Sequence, residues 1–262
     1  MRFPTTRPGK IDLLRTELLI LEAIASGINY FDTAYLYPGS EEALGTILDQ
    51  NGLRNRVNIA TKLPHTNCKS LEDIERCFQR SCARLKTDYL DYYLIHNVST
   101  LEQWTRLVDL GIEAWIAEKK RTGAIKQIGF SFHGSTPEFM KLIDAYDWDF
   151  CQIQLNFMDK NHQAGVKGLK AAAERGLGVV IMEPLKGGRF TDAVPPTVQK
   201  IWDEAPTRRT PAEWAFKWLA NMPEVTVMLS GMNAEAQLQE NMKTLSDEHV
   251  ADLTQEEKDI ID

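Results

Sequence analysis

The sequence predicts an α/β fold built on a parallel sheet and wound as a (β/α)8 TIM barrel. Three observations predict it. Seven apolar, β-rich runs alternate with stretches of helical periodicity, with no break in composition along 262 residues. That length matches the roughly 250 residues usual for such a barrel. No Gly-rich G-x-G-x-x-G turn follows an early run, as an open dinucleotide-binding sheet would require. Residues 1–262 are therefore read as one domain.

The runs are 28–34, 57–63, 89–96, 125–132, 150–157, 177–183 and 225–231. Helical spacing covers 11–26, 41–50, 70–86, 102–122, 136–145, 162–175, 211–221 and 233–243. Ser70 precedes Leu71-Glu72-Asp73, a cap followed by an acidic first turn; Thr136-Pro137-Glu138 and Thr210-Pro211-Ala212-Glu213 put Pro at a helix start. Gly52, Gly123 and Gly176 fall where helices should stop. Seven runs are one short of a barrel's eight. The shortfall leaves a gap between the 28–34 and 225–231 strands, whose unpaired edges are expected to invite association. Pro4 and Pro8 keep residues 1–10 out of that gap, because proline cannot donate to a central ladder.

Composition narrows the function. A net charge of -7 argues against a general nucleic-acid binder, which needs a basic stripe. The longest apolar runs are strand-sized, too short to span a membrane. Met1-Arg2-Phe3-Pro4-Thr5-Thr6 lacks the apolar core of a signal peptide. Cys68, Cys77, Cys82 and Cys151 form no C-x-x-C pair and read as reduced thiols, which suits a cytoplasmic protein with no metal site.

Polar residues at the ends of the apolar runs carry the chemistry. Asp32, Lys62 and His96 each close a run, and Tyr37 follows Asp32 by one short loop. Parallel strands collect such ends on one face of a sheet, where the catalytic groups of these barrels sit. An acid, an amine, an imidazole and a phenol together can move a proton. Asp32 and Lys62 read equally well as a structural ion pair, since buried charges persist only when paired. Ser131, Gln152 and Gln154, Glu183 and Ser230 end the later runs. Ser230-Gly231-Met232-Asn233 leads into a helix expected to begin near Asn233, a natural phosphate site. Lys186-Gly187-Gly188-Arg189 adds flexible backbone and positive charge.

These residues resemble the aldo–keto reductase family. Phe31-Asp32-Thr33-Ala34-Tyr35-Leu36-Tyr37 matches its Asp with a Tyr five positions later, and Ser40-Glu41-Glu42-Ala43-Leu44-Gly45 its continuation. Thr61-Lys62 and Leu94-Ile95-His96-Asn97 match the Lys and His segments. Gly129-Phe130-Ser131, Gln152-Ile153-Gln154-Leu155-Asn156, Met182-Glu183-Pro184-Leu185, and Ser230-Gly231 through Gln237-Leu238-Gln239-Glu240-Asn241 follow in family order. The chain resembles bacterial members related to those that carry a C-terminal iron–sulfur extension, whose cysteine cluster this sequence lacks.

The resemblance implies NADP(H)-dependent reduction of a small aldehyde or ketone, with NAD(H) left open. By matching position, Tyr37 is the general acid, Lys62 lowers its pKa, Asp32 holds Lys62, and His96 orients the carbonyl. Ser131 and Gln152 bind the nicotinamide carboxamide. Met182, Pro184, Leu185, Lys186 and Gly188 line the cofactor; Ser230, Gly231, Met232, Asn233, Gln237, Glu240 and Asn241 serve its adenosine end. Three positions depart from the family pattern: Phe132 replaces a common Asn, Met182 a common stacking aromatic, and Gln237 a common 2′-phosphate Arg. The chain also resembles a member lacking the N-terminal hairpin and first barrel strand. Two other functions stay open: a Schiff-base lyase or aldolase using Lys62 as nucleophile, and a regulatory protein that binds NADP(H) but turns over poorly. The oligomeric state is not legible.

Overall fold

A computed structural model describes residues 3–192, 194–246 and 250–261. Its first element is a small antiparallel hairpin, β1 (Thr5–Arg7) and β2 (Lys10–Ile11). Pro8-Gly9 makes its turn, with Gly9 at a positive φ. The hairpin stays outside the main sheet, as the two prolines require, although no strand is legible there in sequence.

The main sheet has seven strands: β3 (Tyr30–Asp32), β4 (Asn58–Leu63), β5 (Leu90–Val98), β6 (Ile125–Phe132), β7 (Phe150–Gln154), β8 (Gly178–Met182) and β9 (Val227–Met228). All are parallel and lie in chain order. Each falls within one of the seven apolar runs, β5 alone passing its run by two residues. Among the described residues no strand lies between β3 and β9, so the sheet is open there. The fold is thus a seven-stranded, barrel-like α/β sheet.

Helices follow the strands: α1 (Leu13–Ala25), α2 (Ser40–Gln50), α3 (Leu71–Leu85), α4 (Leu101–Asp109), α5 (Ile112–Arg121), α6 (Thr136–Ile143), α7 (Gly165–Glu174), α8 (Arg189–Asp192), α9 (Pro196–Asp203), α10 (Pro211–Ala220), α11 (Glu235–Thr244) and α12 (Gln255–Ile261). The caps behave as their residue types dictate. The Ser70 hydroxyl accepts from the Asp73 N–H, and Thr210 with Glu213 forms a reciprocal capping box. Two expectations are corrected. The 102–122 helix breaks at Leu110-Gly111, because Gly111 takes a left-handed φ of 89° that ends one helix and starts the next. The helix expected from Asn233 begins at Glu235, because Ala234 is still extended.

Strand register decides what faces the inside. Asp32 pairs with Ala60, and Ala60 with Tyr92. Since strand side chains alternate, Tyr30 and Asp32, Ala60 and Lys62, and Tyr92, Leu94 and His96 share the inner face. Ala60, Leu94, Phe150 and Val180 form the apolar layer of that face, with Tyr30, Tyr92 and Val227 packed on it. Gly129 makes this layer fit: a Cβ there would lie 2.4 Å from the Phe150 carbonyl oxygen and under 3 Å from its ring. The outer faces of the strands bury against the helices in one large core. Polar residues two positions beyond the apolar layer therefore emerge together at the C-terminal rim.

Candidate active site

Lys62 ends β4 and is almost fully buried, at 1% exposure. Its ammonium donates to both carboxylate oxygens of Asp32, at 2.7 and 2.6 Å, and to the Thr33 carbonyl at 2.7 Å. These acceptors use all three N–H groups of the ammonium. The ammonium lies 5.6 Å from the centroid of the Tyr37 ring. Tyr37 in turn meets His96 edge to face, ring centroids 5.9 Å apart. The four residues singled out in sequence thus converge.

His96 is electrically perturbed by its surroundings. Burial, reinforced by the Lys62 charge, pulls its pKa down to about 4. Its imidazole is therefore neutral at neutral pH. Nδ1 is buried without a partner, which places the N–H best at Nε2.

A second layer holds this group, and sequence reading assigned it no role. Glu41 on α2 is fully buried; it accepts from Thr61 Oγ1 at 2.6 Å and pairs with Arg84 at 3.0 Å. Arg84 also donates to the Tyr35 carbonyl, and Thr33 Oγ1 shares a 2.8 Å hydrogen bond with Ser40. The network clamps both sides of Asp32 and Lys62. Gly45 permits it: a Cβ there would stand 2.4–2.6 Å from the backbone of Arg84 and Leu85, so α2 can press on the end of α3. On the far side, Arg106 donates to the His65 and Cys68 carbonyls, stapling the loop after Lys62. Asn97, beside His96, takes a left-handed φ of 57° and donates its N–H to Ser131 Oγ at 2.8 Å.

The remaining candidates line the same rim. Ser131 and Gln152 are neighbours across β6 and β7. Gln152 Nε2 rests 3.8 Å from Met182 Sδ, and Gln152 Oε1 is buried with no donor. Gln154 donates to Asp159, as does Asn156. Asp159 also pairs with Lys186 at 2.9 Å, tying the loop after β8 to the loop after β7. Pro184 is buried in that loop and Leu185 half-buried; Glu183, Lys186, Gly187 and Gly188 all have positive φ. Beyond β9, Ser230 Oγ accepts from Asn241 Nδ2 at 3.0 Å, and Gln237 Oε1 from the Asn233 N–H at 3.1 Å. Gly231 is exposed, Met232 half-buried, and Glu240 accepts from Thr210 Oγ1. Glu235, in the first turn of α11, is gripped at both oxygens by Arg15 of α1, at 2.8 and 2.6 Å. That guanidinium holds its carboxyl down at about 2.

A curled parallel sheet thus gathers Asp32, Tyr37, Lys62 and His96 at its C-terminal rim. The chain belongs to the aldo/keto reductase family, whose model matches residues 5–262. An aldo-keto reductase of Mycolicibacterium vanbaalenii is 26% identical over 252 residues, covering 93% of this chain and 82% of the relative. One from Mycolicibacterium paratuberculosis is 28% identical over 249 residues, covering 92% and 81%. Among solved structures, an aldo-keto reductase from Bacillus halodurans in its holo form superposes with a TM-score of 0.78 at 23% identity, covering 95% of this chain and 87% of that one. One from Klebsiella pneumoniae, in complex with NADPH, gives 0.76 at 23% identity, covering 100% and 89%. Among the described residues no helix is long and apolar enough to cross a membrane.

Proposed function

We propose that this chain reduces a small aldehyde or ketone to its alcohol, with Tyr37 as proton donor and a nicotinamide cofactor, NADP(H) in preference to NAD(H). One observation carries the reading: the buried, triply bonded Lys62 ammonium beside the Tyr37 ring, with a neutral His96 against the same ring. The bound cofactor supplies the hydride. The residues do the rest. Asp32 and Thr33 hold Lys62 charged, and that charge favours the phenolate left when Tyr37 gives up its proton. His96, neutral, can donate from Nε2 to the carbonyl oxygen and fix its direction without competing for the transferred proton. As the carbonyl carbon gains hydride, its oxygen takes the Tyr37 proton, and solvent returns one to the phenolate.

The residues fit the cofactor. The orphaned Gln152 oxygen suits an amide donor such as the nicotinamide carboxamide, with Ser131 beside it. Met182 offers a polarisable thioether in place of an aromatic face. Pro184, Leu185, Lys186 and Gly188 would border the diphosphate, and Ser230, Gly231, Met232, Asn233, Gln237, Glu240 and Asn241 the adenosine. The NADPH bound by the Klebsiella pneumoniae relative supports this choice. The Schiff-base alternative needs a neutral Lys62, which three hydrogen-bond acceptors oppose. The regulatory alternative draws on the open sheet edge beside Asp32, and predicts binding without turnover.

The test is NADPH oxidation across a panel of aldehydes and ketones, with cofactor binding followed by fluorescence. Turnover that Tyr37→Phe removes supports the proposal. Tight cofactor binding with no turnover on any carbonyl would favour the regulatory reading.

A further inference from the structure

The segment proposed to face the adenosine, 230–241, contains no lysine or arginine and two glutamates, Glu235 and Glu240. A 2′-phosphate arriving there meets no local cation. The fold brings one from 220 residues away: Arg15, on α1, forms a two-pronged pair with Glu235 at the first turn of α11. Both side chains are about half exposed, at 45% and 48%, so the pair is open to a ligand and contributes little to holding the fold. α1 and α11 also pack against each other and meet through Gln239 and Glu22, so their contact does not depend on the pair alone.

We infer, on the reading of the adenosine site above, that the Arg15–Glu235 pair sets the choice between NADPH and NADH. The two side chains act in opposite directions. A guanidinium fork matches phosphate as well as carboxylate, so Arg15 can turn from Glu235 to a 2′-phosphate. The Glu235 carboxylate repels that dianion, and it can accept instead from the free 2′-hydroxyl of NADH, as acidic residues do in dinucleotide sites. With both present, the preference for NADPH is shallow. Arg15 thereby takes over the part that Gln237, engaged with the Asn233 N–H, does not play.

The test uses the full chain, titrated by fluorescence with NADPH and with NADH, as wild type, Arg15→Gln and Glu235→Gln. Circular dichroism checks that each variant is folded. The measured quantity is the ratio of the NADH to the NADPH dissociation constant. Glu235→Gln should raise it roughly tenfold, by freeing the guanidinium and removing the repulsion. Arg15→Gln should lower it by a similar factor and invert the preference. A wild type that binds cofactor, with both variants within about twofold of its ratio, overturns the inference and spares the site. If wild type binds neither cofactor, the parent reading fails and takes this one with it.

Discussion

Acid should weaken this protein through His96. In the folded chain burial and the Lys62 charge hold the His96 pKa at about 4, against 6.5 for an ordinary imidazole. Below pH 6.5 the unfolded chain takes up a proton that the folded chain refuses. The folded state therefore keeps its full advantage above pH 6.5 and loses it progressively as pH falls toward 4. The complete loss is about 3 kcal/mol, and about 2 kcal/mol should be gone between roughly pH 7 and pH 4.5. His65 and His133 are also pulled down by burial and add slopes of the same sign. The clean measurement is therefore a difference. Urea unfolding of wild type and of His96→Gln across this window should show a shallower loss in the variant by about 2 kcal/mol. Parallel stability curves would refute the claim that the half-buried His96 is held neutral in the folded chain.

Other perturbations read different parts of the site. Tyr37→Phe keeps the ring and should cost on the order of 10²–10⁴-fold in turnover while leaving cofactor affinity nearly unchanged; near wild-type turnover would remove Tyr37 as the acid. Asp32→Leu strands a buried ammonium, and scanning calorimetry should find roughly 3–5 kcal/mol lost, while an unshifted melting point would mean the pair is not buried as described. Gly45→Ala should destabilise by about 1–3 kcal/mol, because its methyl group meets backbone that cannot move aside; a neutral result would show that α2 can retreat from α3. Wild type should bind NADPH more tightly than NADH by a modest factor, and equilibrium titration finding NADH tighter would reverse the cofactor assignment.

The parts of this architecture legible in sequence are those with a local signal. Seven strands show because each is a short β-rich run dominated by apolar residues, and their order follows from the alternation. Asp32, Lys62 and His96 show because a polar residue closing such a run must surface at a rim. The break at Gly111 does not show, since apolar spacing continues through it on both sides. α8, α9 and α12 do not show either: they are short, and two of them sit in a proline-rich stretch with weak periodicity. The supporting network is invisible for another reason. Glu41 with Arg84, Asp159 with Lys186, and Arg15 with Glu235 join residues 43, 27 and 220 positions apart. No spacing rule links such pairs; only the fold brings them together.

The opening between β3 and β9 has a mechanical meaning. Each rim is brief, three residues in one strand and two in the other, so the edges expected to invite association present only a short row of free peptide groups. What the strands leave unlinked, the helices span: α1, which leads into β3, touches α11, which follows β9. The sheet is thus a spring clip, rigid around its ladder and held at its mouth by an outer strap of two helices. Asp32 lies on one jaw and the Ser230 segment follows the other. A cofactor seated across both jaws would become the clip's third fastening.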